Sequence, residues 1–186
     1  MWYAATVTTA PAGLVVAVAD VKTRLRVDTA DDDASIQGLI EETTQEAESY
    51  CNLFLRRQTL DIVCDCWADL ERLPVGPVPA GGINSIDYTD PDGSAQTVAV
   101  EDYELRLIGL KGLEAQIKPV YGLSWPSIQT GSRITIGLDA GYDALPLDVR
   151  LAIYERIAER YENRETRATG SFSSWDAMLI NYRRGI

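Results

Sequence analysis

Histidine is absent from the 186 residues of this chain. Because histidine is the usual general base of nucleophilic hydrolases and the commonest metal ligand, its absence removes Ser-His-Asp and Cys-His catalysis. The glycine-rich stretches, Gly81-Gly82 and Gly137 to Gly141, match neither a phosphate-binding loop nor a dinucleotide-binding pattern. We therefore expect a protein that is not an enzyme and that has no cofactor, no catalytic residues and no metal ligands.

Long apolar runs are also missing. No run approaches the roughly 18 uninterrupted apolar residues that a membrane helix needs. The apolar stretch at residues 10–19 is short, has no basic flank and is followed at once by Asp20. The sequence therefore predicts a protein that neither spans a membrane nor is secreted.

Cysteine is scarce, since Cys51, Cys64 and Cys66 are the only three. Three thiols cannot all pair within one chain, and Cys64 and Cys66 would point to one face of an extended segment. A zinc site built from these thiols would need a fourth ligand and a more usual spacing. The pattern favours reduced, partly buried thiols in a protein made in the cytoplasm.

Positive charge is in short supply, with 17 basic against 28 acidic side chains and a formal net charge of −11. The deficit lies before residue 145, because residues 145–186 carry seven basic and six acidic side chains. An acidic body repels phosphate groups, so we do not expect tight DNA binding driven by counterion release. The basic residues of the last stretch are all arginines, which suit bidentate contacts with carboxylates at interfaces.

Apolar residues repeat with a helical period in three stretches. Val18 to Val27 predicts a first helix over about residues 18–26, with cations toward its end. The run Asp31 to Asp33 favours an N-cap over a divalent-metal site, since it lacks the spaced ligands and glycine of a calcium loop, and it predicts a second helix over about 33–52. Pro146 suits a first turn, and a third helix over about 146–163 carries its apolar stripe at Val149, Ile153, Ile157 and Tyr161.

A period of two replaces the helical period from Gln58 onward, where apolar and cysteine side chains occupy every second position. The sequence Asp90-Pro91-Asp92-Gly93 supplies turn dihedrals and predicts a hairpin. The stretch of about 58–140 is therefore β-rich. The strands predicted in it lie at residues 58–66, 83–88, 96–100, 103–108, 115–119 and 132–138.

The last residues form a separate pattern. Residues 169–174 have the composition of a flexible linker. Beyond it, apolar side chains recur at i, i+3, i+4 and i+7, next to two arginines. Such a helix either packs on its own domain or docks on a partner, and its residue types favour a partner. The residues of this segment are Trp175, Met178, Leu179, Tyr182, Arg183 and Arg184.

The order of four stretches resembles the head-tail connector, or head-completion adaptor, family of long-tailed phages, prophages and gene transfer agents. Val21 to Val27 followed by Asp31 to Ile36 is similar to the opening of the family. Tyr121-Gly-Leu-Ser-Trp-Pro126 is similar to its aromatic segment. Ile134 to Tyr142 resembles its strand with a Gly-Tyr turn, and Leu145 to Glu165 its penultimate helix. Together the four stretches span residues 16–165.

The resemblance implies a mainly α fold with a β-rich insertion (α+β), in which a helical bundle carries a small antiparallel β element. Residues 1–168 would form the connector domain, and residues 169–186 a linker with a docking segment. The family forms a ring, usually of twelve subunits, below the portal, which extends the DNA channel and receives the stopper or tail. The expected location is the neck of a virion or virion-like particle.

Two sets of interface residues follow from this resemblance. The C-terminal segment is expected to reach the portal protein through Trp175, Met178, Leu179, Tyr182, Arg183 and Arg184, so that its deletion would leave folding nearly intact. Contacts between subunits are expected at Trp125, Arg160, Arg164 and Arg167. The alternatives are another virion completion protein, such as a stopper or tail-completion protein, and a small metal-dependent hydrolase that uses carboxylates.

Overall fold

The computed structural model describes residues 1–163 and 173–185 and divides into two compact units. The first unit consists of residues 1–12 and 56–142, and the second of residues 13–55 and 143–186. Each unit is therefore built from two separate stretches of the chain. Within the described ranges, no helix is long and apolar enough to cross a membrane.

The first unit is built on a five-stranded antiparallel sheet. Its strands are β1 (Thr6–Thr9), β2 (Gln58–Cys64), β3 (Ile83–Thr89), β4 (Ala95–Thr97) and β7 (Ile134–Ala140). They lie in the order β1-β2-β7-β3-β4, so the last strand in the chain, β7, is at the centre between β2 and β3.

The core of this sheet follows from the apolar and cysteine side chains that occupy every second position from Gln58 onward. In β2, alternate side chains from Gln58 to Cys64 are buried, and Leu60 pairs with Leu138 of β7. The strand ends at Cys64, and Cys66 is exposed as the cap of a short 3-10 helix at Trp67–Glu71. The strand therefore stops two residues before the predicted end at Cys66, and of the two thiols only Cys64 lies within it.

A separate two-stranded hairpin completes the first unit. It consists of β5 (Tyr103–Ile108) and β6 (Glu114–Pro119), which pair in register from Tyr103 with Pro119 to Ile108 with Glu114. Tyr103, Ala115 and Ile117 are buried, whereas the last three residues of β5 are exposed. Strand β6 therefore buries alternate residues along its length, whereas the end of β5 is exposed.

The second unit is helical. Its helices are α1 (Val18–Leu25), α2 (Asp33–Cys51), α3 (Leu147–Glu162) and α4 (Ser174–Leu179), and a 3-10 turn at Ile180–Tyr182 follows α4. Helix α3 packs against α1, α2 and α4. Fully buried side chains on one face of each long helix, such as Ile36 and Ile40 of α2 and Ile153 and Ile157 of α3, form the core.

The predicted fold class, mainly α with a small β element, is wrong. The described residues contain seven strands and four α-helices, and the larger sheet is the core of a unit of its own. Two physical reasons explain the error. All four residues of β1 are exposed at the sheet edge, so this strand has no apolar alternation that could predict it. The pairing of β7 with both β2 and β3 joins distant segments, which local periodicity does not encode.

Candidate interaction surfaces

Helix α4 is fixed at its start by a reciprocal cap. The Ser173 hydroxyl accepts a hydrogen bond from the Asp176 amide at 3.3 Å, and the Asp176 carboxylate accepts from the Ser173 amide at 2.9 Å. This capping box satisfies two backbone donors that a helix start otherwise leaves open. The hydrogen bonds from Ser173 lower the pKa of Asp176 below its ordinary value.

The apolar face of the C-terminal segment is buried inside the second unit. Trp175, Leu179 and Tyr182 are 8%, 0% and 5% exposed, and Arg184 is also buried. Met178 is half-buried, and Arg183 is exposed with its guanidinium 5.1 Å from the centre of the Tyr50 ring. The sequence left two alternatives for this face, packing on its own domain or docking on a partner. In the structure, the face packs on its own unit. Only the outward side of the segment is open to a partner.

Hydrogen bonds fasten the end of the segment to α2 and α3. The Cys51 thiol donates to the Leu179 carbonyl at 3.8 Å, and the Arg184 amide donates to the Cys51 carbonyl at 2.9 Å. The Tyr182 hydroxyl donates to Asp148 of α3 at 3.4 Å. These contacts continue the packing beyond α4 to the last turn.

Arg160 belongs to an ion-pair cluster that joins α2 and α3. Glu46 accepts hydrogen bonds from Arg156 at 2.6 Å and from Arg160 at 2.7 Å, and Glu42 accepts from Arg160 at 3.3 Å. The hydrogen bond to Glu46 raises the pKa of Arg156, although burial alone would lower it. Arg160 thus contacts its own unit, and the other two predicted interface arginines, Arg164 and Arg167, lie outside the described residues.

Trp125 holds a loop of the first unit in place. Its ring stacks on Trp67 with centroids 4.6 Å apart and planes inclined by 7°. The Trp67 indole N–H donates to the Pro126 carbonyl at 2.8 Å, and the Tyr88 ring packs edge-on against Trp67. The half-buried Trp125 therefore presents only part of its ring to solvent.

The most exposed apolar residues were not predicted from the sequence. Leu110 and Tyr121 are fully exposed, and each lies in a turn next to a glycine with a positive φ angle. Other large apolar side chains are exposed near them along the chain, at Val100, Leu107, Ile108 and Leu123. The only signal that the sequence offered was the presence of apolar residues in glycine-containing turns, at Gly109 to Gly112 and at Tyr121 to Leu123.

Two of the three thiols are buried, and the third is exposed. Burial raises the pKa of Cys51 to about 11 and that of Cys64 to about 12, so both remain protonated near neutral pH. Cys66 is exposed, and its thiol lies 3.4 Å from a carboxylate oxygen of Asp69. In the described part of the chain, no group of three cysteine or acidic side chains is arranged to hold a metal ion.

The two-unit chain, with helices α1 and α2 leading into β2, can now be compared with known proteins. Residues 16–87 match the family model of phage gp6-like head-tail connector proteins. The recognition of a head-tail connector is confirmed. The match also supports the predicted role as a structural connector protein. The matched residues run from just before α1 into β3. They include the first of the four stretches that carry the resemblance, and the other three stretches lie beyond residue 87.

Solved structures share the fold of this chain over nearly its whole length. A chain from the neck of an empty gene transfer agent particle, computed with C6 symmetry, has a TM-score of 0.76 and 23% identity. Chains from the virion of a native gene transfer agent particle and from its neck, computed with C12 symmetry, have TM-scores of 0.74 and 0.71 at 23% and 22% identity. Each match covers 99% of this chain and 97% of the other chain.

At these identities, the structural likeness establishes the fold. The neighbours are parts of a particle neck and a virion, the location predicted for this chain. No curated protein matches the sequence significantly.

Proposed function

We propose that this connector forms an oligomeric ring between the portal and the stopper or tail, and that the ring extends the DNA channel. The observation that carries the proposal is the family match over residues 16–87. The fold shared with neck chains of a gene transfer agent, over 99% of this chain, supports it. The particle would be a phage, a prophage-derived particle or a gene transfer agent, with the subunit made in the bacterial cytoplasm.

A ring of twelve subunits fits best. The neck structures that share the fold were computed with C6 and C12 symmetry, and both are compatible with twelve copies around an axis. A cyclic ring needs a head-to-tail contact, in which two different patches of the subunit meet. The ring therefore requires two separate surfaces on each copy.

The acidic composition suits a channel through which DNA slides. With a net charge of −11, each subunit repels phosphate groups, so DNA would pass without specific binding. No catalysis is needed for this role, and the absence of histidine fits a protein that is not an enzyme.

The outward side of the C-terminal segment is the proposed portal contact. Of its six predicted residues, Met178 and Arg183 retain exposure, and the neighbouring Ile180 is 46% exposed. Methionine and arginine are types enriched at interface cores. Because the buried residues Trp175 and Leu179 hold this side in place, their part in portal binding would be indirect.

Electron microscopy of the purified connector mixed with the portal protein tests the proposal. We expect a ring stacked on the side of the portal that faces the tail. The variant Arg183→Glu should weaken this complex, whereas Arg150→Glu, on the exposed side of α3, serves as the matched control. A ring that instead caps the tail end and never contacts a portal would favour a tail-completion protein and contradict the proposal.

A further inference from the structure

Three basic side chains lie in α1 and at its end, and the fold accounts for two of them. Lys22 forms an ion pair with Asp33 of α2 at 2.5 Å, and the Arg24 guanidinium lies 4.2 Å from the centre of the Tyr154 ring. Arg26 is exposed, and its side chain makes no hydrogen bond, ion pair or ring contact with the described residues. The described fold therefore does not use the charge of Arg26.

The backbone of Arg26 adopts the left-handed conformation, with φ 58° and ψ 41°. The residue caps α1, where its amide donates to the Lys22 carbonyl, and glycine is the residue commonly found in this position. A residue with a Cβ is strained there. Helix geometry alone would favour glycine, so the arginine points to a role outside the fold of the single chain.

The acidic run before and at the start of α2 shows the same division. Asp33 pairs with Lys22, and Asp32 accepts a hydrogen bond from the Tyr161 hydroxyl at 2.6 Å. Asp31 is exposed and makes no such interaction within residues 1–163 and 173–185. The segment of residues 26–31, which we call the α1–α2 corner, therefore carries an unpaired cation at one end and an unpaired carboxylate at the other.

We propose that Arg26 of one copy forms an ion pair with Asp31 of the next copy in the ring, so that the α1–α2 corners make part of the contact between subunits. Arginine suits this role because its guanidinium can bind a carboxylate through two hydrogen bonds. The occupant is a second copy, because the same chain supplies the charge that each of the two groups lacks. The inference rests on the proposed ring and names two residues that would form it.

The two ends of the corner provide the asymmetry that a ring needs. A head-to-tail contact joins two different patches, here the end of α1 on one copy and the start of α2 on the next. Asp28 is also exposed and makes no interaction with the described residues, but it lies only two residues from Arg26. It therefore belongs to the same end of the corner as the cation, and Asp31 is the acceptor at the other end.

The contact should be weak by itself and should matter through repetition. A single exposed ion pair contributes little in water, so free subunits should not associate through it alone. A closed ring repeats the pair at every boundary between copies, and the portal holds the copies together. Ring assembly on the portal over a series of subunit concentrations is therefore the measurement, and it should weaken as the salt concentration rises.

The test exchanges the two charges between copies. Arg26→Glu and Asp31→Lys should each raise the subunit concentration needed for rings about tenfold, because each variant places like charges at every boundary. An equal mixture of the two variants should assemble like the unmodified protein. In a ring of twelve, which is an even number, the variants can alternate, and every boundary then joins opposite charges again.

This rescue is specific for a contact between copies. Each variant by itself carries like charges at the two positions, so a contact within one copy cannot produce the rescue. Native mass spectrometry should find the two variants in equal numbers in each ring. Asp28→Lys is the matched control, because in the mixture with Arg26→Glu it should not restore assembly.

Arg26→Gly separates a role in assembly from a role in the fold. Glycine relieves the strain of the left-handed conformation, so the thermal unfolding midpoint should rise. The same variant should still weaken ring assembly several-fold, because the cation is missing. If it forms rings like the unmodified protein, Arg26 is an ordinary surface residue and the inference is overturned.

The remaining outcomes separate this inference from the proposed function. If the unmodified protein forms rings on the portal but the mixture shows no rescue, the inference fails and the function stands. If the mixture gives only closed dimers, the contact is two-fold rather than head-to-tail, and the inference fails again. If the unmodified protein forms neither rings nor portal complexes, both proposals fail.

Discussion

The Trp175 ring packs against the Tyr50 ring with centroids 4.8 Å apart and planes inclined by 56°. The Arg156 guanidinium lies 5.4 Å from the centre of the Trp175 ring, so α2, α3 and α4 meet around one indole. Burial and the neighbouring Asp176 raise the pKa of Tyr50 above its ordinary value. The C-terminal segment is thus part of the core of the second unit.

Replacing Trp175 with alanine should therefore destabilise the helical unit. Removing a buried tryptophan leaves a cavity and should lower the free energy of unfolding by about 3 kcal/mol or more. Urea unfolding followed by circular dichroism measures the change. Ile180→Ala, at a position that is 46% exposed, should change stability by less than about 0.5 kcal/mol. Equal effects of the two substitutions would contradict the packing described for α4.

Deletion of residues 175–186 should have an even larger effect. The deletion removes Trp175, Leu179 and Tyr182 from the core and exposes the faces of α2 and α3 that they cover. This outcome reverses the sequence-based expectation that the deletion leaves folding nearly intact. A truncated protein whose thermal unfolding midpoint equals that of the full chain would support the original expectation instead.

The Glu46 carboxylate should contribute more to stability than the neighbouring Glu42. Glu46 accepts from both Arg156 and Arg160, and its side chain is 28% exposed, whereas Glu42 is 67% exposed and, among the described residues, pairs with Arg160. Glu46→Gln removes the carboxylate that Arg156 and Arg160 share, which leaves Arg156 with Glu159 and Arg160 with Glu42, and should cost about 1.5–3 kcal/mol. Glu42→Gln should cost less than about 1 kcal/mol. The unfolding free energies at low and at high salt distinguish the two, and equal costs would argue against the cluster.

Gly141 should not tolerate a side chain. Its φ angle is 106°, and an added Cβ would lie 2.2 Å from the Arg56 carbonyl oxygen. Gly141→Ala should destabilise the sheet unit by about 3 kcal/mol or more, because backbone strain adds to the clash. Gly38→Ala serves as the opposite control, since Gly38 lies in α2 with open space around it, and it should stabilise the protein by about 0.5–1 kcal/mol. Thermal unfolding of both variants checks the pair.

The thiols should react at two very different rates. The exposed Cys66 should react rapidly with a maleimide near pH 7.5, whereas Cys51 and Cys64 should react only as the protein opens, because burial holds their pKa values near 11 and 12. Mass spectrometry over time counts the labelled thiols, and denaturant should release all three. If the Cys66→Ser variant still shows a fast phase, one of the buried thiols is accessible.

The purified protein should bind double-stranded DNA poorly at physiological salt. With 28 acidic against 17 basic side chains, the chain gains little from counterion release. Fluorescence anisotropy of a short labelled duplex measures binding across a salt series. Submicromolar affinity with a steep salt dependence would contradict the proposed channel, in which DNA moves without sticking.

Local structure could be predicted from the sequence where one segment contains the cause. The apolar period of four and Pro146 predicted a helix at about residues 146–163, and α3 occupies Leu147–Glu162. The turn residues Asp90 to Gly93 predicted the hairpin that joins β3 and β4. The resemblance over the opening residues predicted the family, because the order of short patterns along the chain is itself a sequence property.

Long-range pairing and burial could not be predicted in the same way. An amphipathic helix such as α4 has the same pattern whether its apolar face meets its own unit or a partner, so only the tertiary structure placed Trp175 on Tyr50. The central position of β7, between two strands far from it in the chain, depends on which edges meet during folding. The exposure of Leu110 could be seen only from the backbone conformation, because the direction of an apolar residue between two glycines depends on their φ angles. Periodicity and turn chemistry are local and are written in the sequence, whereas the partner of each apolar face is decided when separated segments pack together.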